Sequence, residues 1–538
     1  MQHGSGSTVI IFAGPGSYNL SQFPFGTDFM AQQITLKLAV AEDRHAALLR
    51  HRILSSASSR AQHQLVSIYY DTGRMALRRA GILLRLRKHG ASWQQMIKRQ
   101  DESDSGLTLR PEWQAPYLNH FDFSHVDDPE LRAWLQRDKV AGRLAAVFET
   151  NVRRTVWEFD PTPNTRIHIK LDRGWIASNG RRETISELEL QLASGSIDSL
   201  YQLALQLSQR EALPPLLLSK AERGYRLFHN TPPDPVKAGG VPIDASDTPL
   251  AAFRLIAQDC LSHLQMNHDG AVHSDDPEYV HQMRVATRRL RAALRMFRPV
   301  LPAGFAEQLV PPMRELMRSL GQARDLDVLI GEIVAPVAAA LPDEPRLTDL
   351  ASAITNRLYA ARDEIRHTLR QPAYGRFLLT AGMLLQRAPF IEPPAADGDT
   401  PVLLQFADRR LHRLLKRIHE LAAAARVDHP PSLHELRIGI KRLRYAIEFF
   451  GPMIPGKSGT ATIKRLAGLQ DELGQLNDLA SAGTLLMVCS GRDPHLREAV
   501  TLIGGWHGPR HASLLADIPD KLKRIAAIRL PRLEQESA

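Results

Sequence analysis

HQMRVATRRLRAALRMFR, residues 281–298, holds six arginines and one histidine, and no aspartate or glutamate. On a helix at 100° per residue, His281, Arg284, Arg288, Arg291, Arg295 and Arg298 fall within an arc of about 100°. Met283, Leu290, Leu294 and Phe297 fall on the adjoining face and are expected in the core, while Arg289 points elsewhere. A solvated helix face usually mixes charge signs at four-residue spacing. Here like charges repeat at that spacing and repel. The row therefore costs stability unless an anion, or acids from elsewhere in the chain, neutralise it. Asp325 and Asp327, or Asp471, Glu472 and Asp478, are the candidate internal acids.

The stretch occurs twice. HELRIGIKRLRYAIEFF begins at His434, 153 positions after His281, and puts His434, Arg437, Lys441 and Arg444 on the equivalent face before Glu448 ends the pattern. LGQARDLD has its glycine at 321 and LGQLNDLA at 474, again 153 apart. Two motifs at one offset imply a duplicated helical bundle, all-α and pseudo-twofold. Guanidinium forks suit phosphate oxygens, and a row of them suits a repeating linear anion. Readers of bases add polar or aromatic residues, which this face lacks, so nucleic acid is the weaker reading.

HxxRVxTRRLRAAL followed by LGxxRDLD resembles the CHAD domain over about 250–530, with repeats at about 250–390 and 402–530. The resemblance implies that the domain binds inorganic polyphosphate. It further implies that His281, Arg284, Arg288, Arg291, Arg295, His434, Arg437, Lys441 and Arg444 line the binding face.

Working outward, a chain of 538 residues predicts more than one domain. The net charge of +10 favours acidic partners without choosing among them. Two cysteines, Cys260 and Cys489, are too few for a disulfide scaffold or a zinc cluster and read as buried thiols. No apolar run reaches 18 residues, which gives no membrane span, and the N-terminus lacks a basic n-region. Residues 1–29 are rich in Gly, Ser and Phe and read as a poorly ordered extension, with Met30 the expected natural start. The GPGS at 14–17 lacks the ending of a phosphate loop. Residues 229–249 hold five prolines and an adjacent glycine pair and read as a linker, and a further break is expected at 391–401.

Residues 30–228 alternate as short strands: QITLKL, LVSIYYD, LLRLRKH, WQQMIKR, RTVWEFD, RIHIKLD and SELELQL. Helices are expected at 128–146 and 196–209. Such strands build an antiparallel barrel or sandwich. Cations sit at alternate positions (Lys37, Arg85, Arg87, Lys98, Arg110, Arg154, Lys170), as do the acids Glu112, Asp172, Glu187 and Glu189. Turned inward they make a wet interior that grips an anion and a metal; turned outward they are ordinary solvated charge.

MAQQITLKL, YYDTGRMALRRAGILLRLR, RPEW, SELELQL and SKAERGY, in this order, resemble the CYTH domain over about 30–230. That implies an eight-stranded antiparallel β tunnel that hydrolyses triphosphates with Mg²⁺ or Mn²⁺. CYTH followed by CHAD is the arrangement of bacterial inorganic triphosphatases, implying an α+β multidomain chain acting in the cytoplasm, where polyphosphate granules are a candidate association. The resemblance implies phosphate clamping by Lys37, Arg85, Arg87, Lys98, Arg110 and Arg154. Glu187 and Glu189 would hold the metal, assisted by Glu112 and Asp172. One departure weakens that metal site: the family's first strand reads Glu-x-Glu-x-Lys, and here the positions are Gln33, Thr35 and Lys37. Gln191 likewise stands where a third acid is common. Three readings follow: a metal-dependent inorganic triphosphatase of tripolyphosphate tethered to polyphosphate, a catalytically weak phosphate-chain receptor, and a nucleic-acid binder.

Overall fold

The structure is a computed structural model describing residues 34–99, 112–231, 233–387 and 402–534. The expectations for residues 1–29, Gln33, Arg110 and the break at 391–401 lie outside these residues. The chain divides into two compact units. The first runs to Asp234 and also takes Gln371–Gln386; the second takes Pro235–Arg370 and the chain from Arg387.

In the first unit eight strands form one antiparallel sheet: β1 (Ile34–Ala39), β2 (Ser59–Thr72), β3 (Ile82–His89), β4 (Ser92–Arg99), β5 (Glu112–Pro116), β6 (Leu144–Thr162), β7 (Thr165–Ser178) and β8 (Arg181–Ser194). Their order is β1-β8-β7-β6-β2-β3-β4-β5. The period of two sorts each strand. Leu36 and Leu38 of β1, Ile169 and Leu171 of β7, and Leu188 and Leu190 of β8 face a dry core. Leu200, Leu203 and Leu207 of helix α1 (Ile197–Leu207) close that core. Burying each such side chain stabilises by roughly 1.5–3 kcal/mol. Ser196 caps α1 by accepting from the Ser199 amide. Leu379 and Met383, far along the chain, join the same core.

The stretch 128–146 differs from the sequence expectation. It forms two short helices, Pro129–Leu135 and Asp138–Ala141, and Leu144 already starts β6. Gly142 ends the second helix, and the alternating LAAVFETNV then pairs with β2. Helix α2 (Lys220–His229) starts with a reciprocal capping box between Ser219 and Glu222.

The longer helices that follow are α3 (Pro249–Met266), α4 (Pro277–Phe297), α5 (Phe305–Val328), α6 (Pro345–Leu369), α7 (Pro372–Leu385), α8 (Leu403–Ala424), α9 (Pro430–Phe449), α10 (Ser458–Ser490) and α11 (Pro494–Ala516). All but α7 belong to the second unit. Pro277 and Pro430, which open α4 and α9, are 153 apart, as are Phe305 and Ser458 opening α5 and α10. The aromatic core keeps the same offset: Phe253 matches Phe406 and Phe297 matches Phe450. Phe297 stacks on Phe406 at 5.1 Å and lies 6.0 Å from Phe450, so the two repeats share one core. No described helix is long and apolar enough to cross a membrane.

Candidate functional site

The strand register settles which face the charged residues of the sheet occupy. Lys37 pairs with Glu189, Glu189 with Lys170, Asp172 with Glu187, and Arg154 with Asp172. Across β2, Tyr69 pairs with Arg85 and Ser67 with Arg87. Lys98 pairs with Glu112 on β5. Every described cation and acid expected at the site therefore shares one face, opposite the leucine core.

The face is not uniform. On β6–β8 the acids are already neutralised. Arg154 donates to both Asp172 oxygens at 2.7 Å. Lys220 of α2 lies 2.8 Å from Asp172 and also against Glu187, and Arg223 lies 3.8 Å from Glu187. Lys170 holds Glu189 at 3.0 Å. Burial alone would raise the Asp172 and Glu189 carboxyls, yet each is held at about 2, Asp172 by Arg154 and Lys220 and Glu189 by Lys170 and Lys37. Lys220 is correspondingly pushed to about 12: burial opposes its charge, but Glu187 and Asp172 outweigh it.

On β3 the cations have no such compensation. Arg85 donates to the Tyr69 hydroxyl at 3.5 Å and Arg87 to Ser67 Oγ at 3.4 Å. The Arg85 Nε is buried with no hydrogen-bond partner. Burial, then the neighbouring Arg85, brings Arg87 down to about 10. Tyr69 is lowered although burial would raise it, because Arg85, Arg87 and Lys220 favour its anion. This half of the face is a pocket of positive field. Lys98 extends it, paired to Glu112.

The donor set does not fit a divalent ion. Thr35, opposite Gln191 in the register, brings no carboxylate from β1. Asp172 and Glu189 are ion-paired, and Glu187 Oε2, buried without a hydrogen-bond partner, faces Arg223. No group of three or more His, Cys, Asp or Glu among the described residues is disposed to hold a metal. A dication placed here would sit among Arg154, Lys220 and Arg223 with too few acids to repay its desolvation.

The residues that decide this were not singled out for a role in the sequence. Lys220 and Arg223 stand three apart at the start of a capped helix, a spacing that puts both on one side. Their partners lie 33 or more positions away, so only the fold reveals the pairing.

In the second unit the two arginine rows converge. Arg284 reaches Asp325 at 3.6 Å and Arg437 reaches Asp478 at 4.0 Å, the same pair one repeat apart. Both Asp residues come from the glycine motif, and the glycine has its own reason. A Cβ on Gly321 would lie 2.6 Å from Arg284 Nη1, and one on Gly474 would lie 3.7 Å from Arg437. Glycine there lets the guanidinium lie against the helix. His434 contacts Asn477 at 2.8 Å, while His281, lowered by burial and then by Arg324, has its Nδ1 unpartnered.

Lys441 is the meeting point. Burial, followed by Arg288, Arg437, Arg284 and Arg444, lowers its ammonium to about 7. Nε of Arg288, Arg437 and Arg444 is buried without a partner in each case. Of the other internal acids considered, Asp327 pairs with Arg362 and Glu472 with Arg524, so they do not neutralise the row. Arg289 does point away, to Asp259 at 2.8 Å.

An eight-stranded antiparallel sheet with one cationic face, followed by a duplicated basic bundle, defines the class. The family models agree: the CYTH domain matches residues 31–225 and the CHAD domain residues 255–487. The chain carries one CYTH domain and one CHAD domain, in that order. It is 27% identical over 203 residues to an inorganic triphosphatase of Haemophilus influenzae, covering 37% of this chain and 56% of that protein. The match thus spans little more than half of that relative. An uncharacterized protein of Mycobacterium tuberculosis is 26% identical over 404 residues, 71% of this chain and 75% of its own. The crystal structure of the CHAD domain from the plant Ricinus communis is 33% identical, covering 56% of this chain and 99% of that one, with a TM-score of 0.49.

Proposed function

We propose that this chain binds inorganic phosphate chains in both units: a short chain such as tripolyphosphate on the sheet face, and polyphosphate across the two arginine rows. The match to the CYTH domain and the likeness to an inorganic triphosphatase support a triphosphatase-type reading of the sheet. In this chain hydrolysis is slow, because each described acid of this face is ion-paired to a lysine or arginine and Thr35 adds none from β1. The observation that carries the reading is the division of the sheet face, with Arg85 and Arg87 free to take phosphate oxygens while Asp172, Glu187 and Glu189 are held by Arg154, Lys170, Lys220 and Arg223.

The residues act by charge and position. Arg85, Arg87, Lys98 and Lys37 neutralise phosphate oxygens, and an arginine aimed at a developing charge stabilises it without reorganisation. A metal-dependent triphosphatase is the second reading, favoured by the unpartnered Glu187 Oε2. Phosphate release from tripolyphosphate, with Mg²⁺ and with Mn²⁺, beside calorimetric binding of the same ligand, tests the two. Tight binding with little release supports the receptor. Fast release that disappears in Glu187→Ala/Glu189→Ala supports the enzyme.

A further inference from the structure

The second repeat carries a basic surface that the first lacks. Helix α8 presents Arg409, Arg410, Arg413, Lys416 and Arg417. One repeat earlier, 153 positions back, the same places on α3 are Ile256, Ala257, Cys260, His263 and Leu264, all buried. Arg409, Arg413, Lys416 and Arg417 are exposed. At these five positions one repeat has a packed helix side and the other a cationic one.

This side adjoins the far end of the first arginine row. Arg410 donates to the Arg295 carbonyl at 3.2 Å, and its Nε is buried without a partner. Arg295 is lowered by burial and then by Arg291 and Arg442; Arg442 is lowered by burial and then by Arg291 and Arg417. No carboxylate enters either balance. Three helices thus bring guanidinium groups together: Arg291 and Arg295 from α4, Arg442 from α9, and Arg413 and Arg417 from α8. Arg417 alone of these has an acid at hand, Glu420 at 3.3 Å on the surface.

We propose that Arg410, Arg413, Arg417 and Arg442 form a second phosphate-chain track, continuous through Arg291 and Arg295 with the cluster around Lys441, and that it selects long polyphosphate over short. The inference rests on the central cluster binding polyphosphate. Along α4 the distance from Arg284 to Arg295 is about 16 Å, at about 1.5 Å per residue. A tripolyphosphate at Lys441 cannot reach the track, whereas a long chain lies along both. The cluster offers no aromatic platform for bases, and this favours the inorganic chain over nucleic acid.

The test uses the full chain and fluorescently labelled long-chain polyphosphate, with tripolyphosphate as a competitor, across a range of salt. Arg413→Ala/Arg417→Ala changes exposed residues, and its thermal unfolding is followed alongside; Arg442→Ala is a second, independent variant. Each is expected to weaken long-chain binding several-fold and to reduce the salt slope by about 0.7 per charge removed, the single-strand polyanion value. Tripolyphosphate is expected to compete equally well against both forms at the centre. Unchanged affinity and slope, while Arg284→Ala/Arg288→Ala abolishes binding, would overturn the track and leave the central cluster standing. Binding that survives both sets would overturn the central reading itself. A single-stranded DNA oligomer that outcompetes polyphosphate, and loses affinity in the variants, would reassign the track to nucleic acid and overturn the proposal.

Discussion

Replacing Lys220 with methionine removes the cation that joins two buried carboxylates. Its Nζ lies 2.8 Å from Asp172 and against Glu187, and its side chain is 16% exposed beside carboxylates exposed by 1% and 0%. Removing one partner of a buried ion pair costs about 3–5 kcal/mol, because the remaining charge is left in a dry site. Asp172 keeps Arg154, and Glu187 keeps Arg223 at 3.8 Å, so the lower end of that range applies. For a unit of this size about 3 kcal/mol corresponds to a fall of roughly 6–12 °C in Tm. Thermal unfolding of the full chain, followed by near-ultraviolet circular dichroism, reads the transition of the sheet unit. Mg²⁺ should not move it in the unaltered protein and should partly restore it in Lys220→Met, where Asp172 and Glu187 each lose one cation. A variant as stable as the parent, or a parent stabilised by Mg²⁺ and reversed by chelator, would refute the ion-pair account.

Three further outcomes follow from other residues. Lys441 titrates near pH 7 in the free protein, and a bound polyanion raises it again. Polyphosphate binding should therefore take up a proton, strengthen as pH falls through 7 and weaken as pH rises; calorimetry in buffers of different ionisation enthalpy measures the uptake, and Lys441→Met should abolish it. Gly321→Ala should leave folding nearly unchanged but displace Arg284 and weaken polyphosphate binding, while Gly474→Ala, with its Cβ in ordinary contact at 3.7 Å, should bind like the parent. Gln33→Glu/Thr35→Glu adds the missing first-strand acids, and should raise Mg²⁺-dependent phosphate release from tripolyphosphate at least tenfold.

The sheet was legible because burial on one face leaves a period-two signature in strands such as SELELQL and QITLKL. The bundle was legible because duplication repeats whole motifs, and the reason for the glycine in LGQARDLD became visible only once Arg284 lay against it. What the sequence hid was long-range pairing. Alternation puts Asp172, Glu187 and Glu189 on one face but says nothing of Lys220 arriving from a later helix. β5 is five residues long with one buried position, too short to show a period. Helix α7 shares a core with α1, although its sequence neighbours on both sides belong to the bundle. Nothing in RRLHRLLKR by itself separates the arginines of α8 from ordinary solvated charge; only the offset sets them against buried positions of α3.

The central claim is that this sheet face binds its phosphate chain by arginine and lysine alone. Titration of tripolyphosphate into the full chain by isothermal calorimetry, in chelator and then in Mg²⁺, addresses it directly, with Arg85→Ala/Arg87→Ala assigning the heat to the sheet. The account predicts binding in chelator that Mg²⁺ does not strengthen and that the double variant loses. Binding that appears only with the metal would contradict it.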